Sequence, residues 1–302
     1  MEASKARAGV EARPGVQARP GVEARPGVQG RPGVEGRPGV EARPPVVILC
    51  GGRGTRLQEH ARAIPKPLVE IGGVPIVWHV VQLYAVQGFT RFLLATGYRG
   101  ELIERFAAAH DWPAGVSVAC VDTGLDTPTG GRLKLLEHEL AGERTFCATY
   151  ADGLADLDLG ALLAFHRAHR ALATMTVVRA QLQFGVAELG GADRVVAFHE
   201  KPVSEHWING GFMCFDAGVL DYLERDSVLE RQPLQRLAAA GELRAFRHAG
   251  FWECMDTYKD AVALDDLWAS GRAPWRLWGA GEQPLSPCCA ARGTAPLARG
   301  FP

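Results

Sequence analysis

VVILCGGRGTRLQEHARAIPKPL, residues 46–68, is the stretch from which the fold can be read. VVILC (46–50) is a short, unbroken apolar run, the pattern of a strand covered on both faces in a parallel sheet. Gly51, Gly52 and Gly54 follow directly, so the chain turns at the strand end. A loop without side chains lets backbone N–H groups approach phosphate oxygens, and Arg56 and Lys66 add positive charge beside it. Taken alone, the glycines fit an ordinary turn equally well. Their spacing is neither the GxGxxG of dinucleotide-binding loops nor the GxxxxGK[ST] of phosphate loops.

Beyond this stretch the apolar pattern predicts a helix at 74–87, a strand at 91–96, a helix at 101–110, strands at 116–121 and 145–150, and a helix at 157–169. Strands alternating with helices imply right-handed crossovers, and hence an α/β fold: a Rossmann-like, mostly parallel sheet with helices on both faces. After about residue 171 the predicted strands come closer together (173–179, 185–189, 194–198, 211–215), which adds a smaller β-rich part. Helices, a last strand at 244–251 and a helix at 258–270 complete the expected elements.

Upstream, residues 9–44 are six copies of a hexapeptide, GVEARP or GVQARP with Gly for Ala in places. Proline at every sixth position, with glycine directly after it, predicts an extended, solvated arm of polyproline character, and the period is too short for a solenoid unit. The expected organisation is therefore an arm at 1–44, a folded body at 45–278 and a flexible Gly-, Pro- and Ala-rich tail at 279–302. The arm is a docking segment, a neutral expanded repeat, or an upstream stretch included by a misplaced start codon. Deleting residues 2–44 is expected to leave stability unchanged.

Residues 1–44 carry eight Lys/Arg against five Asp/Glu, leaving 25 against 29 for the remainder, a mildly acidic body. With 47% apolar residues in the chain the body can bury a core, and no basic cluster outside the arm suggests nucleic acid. No apolar run is long enough for a membrane span or a signal-peptide core, so a soluble, cytoplasmic protein without a membrane partner is expected. Seven cysteines, at 50, 120, 147, 214, 254, 288 and 289, lie mostly in apolar runs and read as reduced, buried thiols. Cys288 and Cys289 have no His or Cys partners at zinc spacing. Five lysines stand against 28 arginines. Where Arg replaces Lys so freely, the body lysines Lys66, Lys134, Lys201 and Lys259 become candidates for phosphate contact, because a point-like ammonium is not interchangeable with a planar guanidinium. The plain alternative is survival on the surface.

The glycine loop combined with PKPL resembles the opening motif of the sugar-1-phosphate nucleotidyltransferases. Further blocks are most similar to the glucose-1-phosphate cytidylyltransferases: PKPLVEIGGVPIVWH (65–79), VDTGLDTPTGGRLK (121–134), TFCATYADG (145–153), FHRAH (165–169), EKP (200–202), WINGGF (207–212), HAGFWECMDTYKD (248–260) and LWASGRAPWRLW (267–278). The resemblance implies that family's nucleotide-diphospho-sugar transferase fold. It also implies transfer of a cytidylyl group from CTP to α-D-glucose 1-phosphate, by in-line attack with loss of pyrophosphate and no covalent nucleophile, and a homo-oligomer. It assigns Mg²⁺ to Asp152 and Asp256. Lys66 would contact the CTP phosphates and Arg56 the pyrophosphate portion, with Gly51, Gly52, Gly54 and Thr55 in the nucleotide loop. Gly130, Gly131 and Arg132 correspond to a base-reading loop. Lys201 would hold the sugar phosphate, while Glu200, Asn209 and the backbone at Gly185 meet sugar hydroxyls.

Plainer roles stand beside these: either Asp could cap the segment that follows it, His166 and His169 read as structural, and Trp207, Trp252, Trp268, Trp275 and Trp278 as packing or lid-edge residues, Trp252 bordering the sugar. Three departures bear on base selectivity and assembly: Ala151 where a Gly usually precedes the metal Asp, Pro128 in place of a common Met, and a short 106–116 segment. Lys259 also stands where the family tends to have Arg. The rival functions are a relative using dTTP or UTP, or a catalytically silent sugar-nucleotide-binding protein, which would not need both carboxylates.

Overall fold

The apolar run after Pro45 forms a strand, β1 (Val46–Leu49), with all four residues buried. The structure, a computed structural model, describes residues 42–54 and 64–279. Two short strands, β2 (Glu70–Ile71) and β3 (Val74–Pro75), lead into α1 (Ile76–Ala85). Then come β4 (Arg91–Thr96), α2 (Gly100–Ala109), β5 (Ser117–Asp122), α3 (Thr129–Leu135), β6 (Thr145–Tyr150), β7 (Gly153–Ala155), α4 (Leu159–His169) and β8 (Ala173–Val178). The second half supplies β9 (Val186–Leu189), β10 (Val195–His199), β11 (Ile208–Asp216), α5 (Gln232–Ala239), β12 (Leu243–Arg247), β13 (Trp252–Cys254) and α6 (Tyr258–Ala269).

Seven strands form one sheet in the order β12-β8-β11-β6-β1-β4-β5. β1 pairs in parallel with both β4 and β6, β4 with β5, and β8 with β12. Only β11 runs the other way, between β6 and β8. Successive β1 side chains point to opposite faces, and they enter two different cores. Val46 and Ile48 pack with Val77, Val80 and Val81 of α1 and Leu162 and Leu163 of α4. Val47 and Leu49 pack with Leu133 of α3 and Leu234 and Leu237 of α5. The expected mostly parallel sheet with helices on both faces is the observed fold.

From β1 the chain steps to β4 and β5 on one side, then returns to β6 on the other. That reversal opens a crevice beyond the carboxyl ends of β1 and β6, the place where ligands gather in such sheets.

Three local expectations change. The TGGR segment, expected as a loop, is the start of α3. The strand expected at 244–251 ends at Arg247, and a separate strand, β13, pairs antiparallel with β7. The β-rich part is a bulged two-stranded ribbon of β9 and β10, outside the main sheet and with Phe184 and Phe198 exposed.

Trp78, Trp268, Trp275 and Trp278 surround His79. Burial pulls the His79 pKa down to about 4, and its Nε2 lies 2.8 Å from the Ile71 carbonyl. Cys50, Cys120, Cys147, Cys214 and Cys254 are free thiols; Cys288 and Cys289 lie outside the described residues. Among the described residues no helix is long and apolar enough to cross a membrane.

The repeats up to residue 41 also lie outside the described residues, but the end of the last one packs on the body. Pro44 is buried and the Arg43 guanidinium lies 5.3 Å over the Phe89 ring. A truncation ending at residue 41 is expected to melt with the full chain. One ending at 44 also loses a cation–π contact and a buried proline, together about 1–2 kcal/mol, and should melt roughly 2–8 °C lower in a calorimetric scan.

Candidate active site

The crevice at the reversal of strand order is a cavity of about 350 Å³. Its walls include Gly51, Gly52 and Gly54 after β1, Ala151 and Asp152 after β6, and the segment from Thr127 to Thr129 that enters α3. Thr55 and Arg56 lie outside the described residues.

Lys66 enters from a 3-10 turn (Lys66–Leu68) held between Pro65 and Pro67, the latter buried. Its Nζ donates to Asp152 Oδ2 at 2.6 Å and to Asp256 Oδ1 at 2.8 Å. The two carboxylates are 104 residues apart in sequence and meet because β7 pairs with β13. Asp152 immediately precedes β7, Gly153 pairs with Cys254, and Met255 N–H donates to the Asp152 carbonyl at 2.9 Å. Asp256 is not the cap of α6. Thr257 is, accepting from Asp260 N–H while the Asp260 carboxylate returns to the Thr257 N–H.

Burial opposes the Lys66 charge, but the Asp152 carboxylate and the hydrogen bonds to Asp152 and Asp256 outweigh it and raise the ammonium's pKa. A raised folded-state value means that this contribution to stability is complete below the unfolded lysine value of about 10.4 and is lost only as pH rises through the higher folded value.

Cys254 was not singled out from sequence, yet its Sγ lies within 4.8 Å of ligand oxygens of both Asp152 and Asp256. The sequence shows only its spacing of two residues from Asp256, and β13 already ends at Cys254. Burial first, then the two carboxylates, push its thiol pKa far up, so it remains a neutral thiol.

Arg132, expected near the base, lines the crevice and is held by backbone oxygens. The side chain is buried, and its guanidinium donates to the carbonyls of Thr96 at 2.8 Å, Gly124 at 2.9 Å and Gly51 at 3.0 Å, and to Thr123 Oγ1 at 2.5 Å. It fastens the glycine loop to the ends of β4 and β5. A Cβ on Gly51 would stand 2.0 Å from this guanidinium, so the glycine there is a steric requirement. Gly130 and Gly131 are buried in the first turn of α3. A Cβ on Gly131 would stand 2.0 Å from the Arg225 carbonyl, so it too serves a close backbone approach.

Asn209 of β11, expected on the sugar side, reaches the crevice wall through Tyr150. Its Nδ2 is 3.4 Å from Tyr150 Oη and its Oδ1 accepts from Gly211 N–H at 2.8 Å. Tyr150 donates to Glu230, whose other oxygen accepts from Thr129 Oγ1 at 2.7 Å. Tyr150, Thr129 and Glu230 thus form a wall that no motif announced; burial, then the Glu230 charge, raise the Tyr150 pKa. Gly185 and Glu200 are neighbours on the exposed ribbon, a Gly185 Cβ falling 3.0 Å from Glu200 Oε2. Lys201 follows, with Nζ 3.7 Å from Glu200 Oε1. Of the other flagged lysines, Lys134 is engaged with Glu137 at 3.0 Å and the Leu220 carbonyl at 3.2 Å, and Lys259 is exposed in the first turn of α6.

His166 Nδ1 and His169 Nε2 both bond Thr174 Oγ1, at 2.9 and 2.7 Å. Trp252 donates from Nε1 to the Gly210 carbonyl at 2.8 Å.

The departures at 128 and 151 are accommodated. Pro128 precedes α3 with φ −75°, close to what its ring imposes. Ala151 is buried and is not among the residues with positive φ. Ala151→Gly is therefore expected to destabilise by about 0.5–1 kcal/mol through added unfolded-state freedom; a raised thermal midpoint would contradict this.

Sheet order, crevice and cation-bridged carboxylates together define a nucleotide-binding α/β enzyme, and residues 45–253 match the family described as Nucleotidyl transferase. The chain belongs to that family. The glucose-1-phosphate cytidylyltransferase of Salmonella typhimurium is 41% identical over 254 residues, covering 77% of this chain and 98% of that protein. A probable glucose-1-phosphate cytidylyltransferase of Bacillus subtilis is 38% identical over 253 residues, covering 77% and 99%. Among solved structures, HddC from Yersinia pseudotuberculosis aligns with a TM-score of 0.61 at 22% identity, over 75% of this chain and 100% of that one, a likeness of fold. The resemblance carried by the sequence blocks is borne out.

Proposed function

We propose that the protein transfers a cytidylyl group from CTP to α-D-glucose 1-phosphate, forming CDP-glucose and pyrophosphate. The observation that carries this reading is the convergence of Lys66, Asp152 and Asp256 at the crevice; the specific substrates rest on the similarity to the cytidylyltransferase of Salmonella typhimurium. A phosphate oxygen of the sugar phosphate attacks the α-phosphorus of CTP, a new P–O bond forms, and the P–O bond to pyrophosphate breaks. The attacking oxygen is already ionised, so no side chain need remove a proton. The protein contributes positioning and charge neutralisation. Lys66 would donate to the CTP phosphates, and the N–H groups of the Gly51–Gly52–Gly54 loop, with Thr55 and Arg56, would hold the rest of the triphosphate. Arg132 would act by shaping that loop. Lys201 would hold the phosphate of glucose 1-phosphate, while Glu200, Asn209 and the Gly185 backbone would meet its hydroxyls.

The donor set suits Mg²⁺. Two carboxylates already stabilise a cation between them, Mg²⁺ takes few protein oxygens and keeps several waters, and the neutral Cys254 thiol does not alter that hard character. Asp152 and Asp256 would hold the ion. When bound it supplies charge neutralisation at the reacting phosphates.

A matrix of nucleoside triphosphates against sugar 1-phosphates, scored by pyrophosphate release, tests the proposal. CTP with glucose 1-phosphate should give the highest kcat/KM. A preference for dTTP or UTP rejects the cytidylyl assignment, and silence with every pair rejects enzymatic transfer. Lys66→Ala should lower kcat about 100-fold or more. A homo-oligomer in the cytoplasm fits this function, and sedimentation velocity would read the oligomeric state.

A further inference from the structure

Outside the carboxylate cluster, two arginines converge on one indole at the same edge of the sheet. Arg179 directly follows β8 and Arg247 ends β12; these strands are parallel, so both residues emerge at the carboxyl edge. Trp207 directly precedes β11, which runs antiparallel to β8, so it begins at that edge too. The Arg179 and Arg247 Cζ atoms lie 4.8 and 5.5 Å from the Trp207 ring centroid. Both arginines are exposed. Among the described residues neither guanidinium has a carboxylate partner: at this strand end the Asp156 carboxylate lies 3.0 Å from His248 Nε2 instead.

The position is tied to the crevice by short routes. Asn209 is two residues along β11 from Trp207, about 7 Å, and reaches Tyr150, which stands two residues before Asp152. Gly210 accepts from Trp252 Nε1, and β13 then runs to Cys254, two residues before Asp256. Ser204 N–H donates to the Ala180 carbonyl at 2.9 Å, which brings the loop carrying Lys201 beside Arg179.

Stacking on an indole holds a guanidinium plane without using its N–H donors. Two such forks, unneutralised in a body that has more carboxylates than basic groups, match the oxygens of a phosphate, which guanidinium groups bind in bidentate fashion. We propose that Arg179 and Arg247, fixed on Trp207, form a platform that binds the phosphate monoester of the acceptor substrate on the side of the crevice that Asn209 and Tyr150 connect to it. The identity of that acceptor rests on the function proposed above; the phosphate-binding property does not.

The test uses the full chain with Arg179→Gln, Arg247→Gln, the double variant and Trp207→Ala. Calorimetric titration with glucose 1-phosphate and with inorganic phosphate is combined with KM for each substrate. Each single Arg variant should weaken glucose 1-phosphate about tenfold, the scale of one charge-assisted contact, and the double variant more. Inorganic phosphate affinity should fall in step, KM for glucose 1-phosphate should rise, KM for CTP should stay within about twofold, and the thermal midpoint should hold. Trp207→Ala should weaken the same ligands, because the forks lose their support. The proposal is overturned if the double variant binds both phosphates like the wild type, if the wild type binds neither, or if the loss falls on CTP or pyrophosphate instead. A chain that turns over no substrate pair, yet loses inorganic phosphate in the double variant, would retain the platform and reject the function.

Discussion

Asp256→Asn is expected to lower pyrophosphate release by about 1,000-fold or more, while the fold survives. The substitution keeps the shape of the side chain and removes half of the negative charge that faces Lys66. Charge placed at a reacting phosphate in a partly water-excluded crevice carries effects of this size. The structural cost should be small because the Asp256 side chain is 44% exposed, Lys66 keeps Asp152 at 2.6 Å, and α6 is capped by Thr257 and Asp260. Rapid-quench measurement of pyrophosphate, with a melting curve on the same sample, separates the two effects. Activity within tenfold of the wild type would remove Asp256 from the reaction, and a large fall in midpoint would make its role structural.

Arg132→Ala should produce the largest loss of stability of any single change discussed. Its guanidinium satisfies four oxygens at the ends of β1, β4 and β5, and it is only 4% exposed. Leaving buried acceptors unpaired costs about 1–3 kcal/mol each where water cannot replace the donor. With partial relaxation a total of about 3–5 kcal/mol is reasonable, or roughly 6–20 °C in midpoint for a domain of this size. Arg132→Lys should recover little, since one ammonium cannot span these directions. A base-reading arginine would behave in the opposite way, with an unchanged midpoint and a raised KM for CTP alone.

Much of this site was legible because its parts are local. VVILC followed by three glycines marks a buried strand and its turn, and PKPL places a lysine between two prolines. Asp152 could be placed at the end of a strand whose limits, 145–150, match the observed β6. Cys254 escaped notice because it meets Asp152 only through the pairing of β13 with β7, segments about a hundred residues apart. The TGGR segment reads as a loop because of its glycines, whereas it opens α3 and Gly131 is small to let the Arg225 carbonyl in. Arg179 and Arg247 lie outside the dense motif blocks or at their edge, and among 28 arginines nothing in the sequence sets them apart.

By itself the sequence determined the alternation of strands and helices and the parallel character of β1, which depend on apolar period and strand length and are written locally in the chain. Lys66, Asp152 and Asp256 were pointed out by the resemblance of their motif blocks to a known family. Tertiary structure decided which charges meet: the β7–β13 pairing closes a gap of about a hundred residues between the two carboxylates, and the parallel exit of β8 and β12 brings two arginines onto one indole. Contacts of that range depend on strand order and register, which local pattern does not specify.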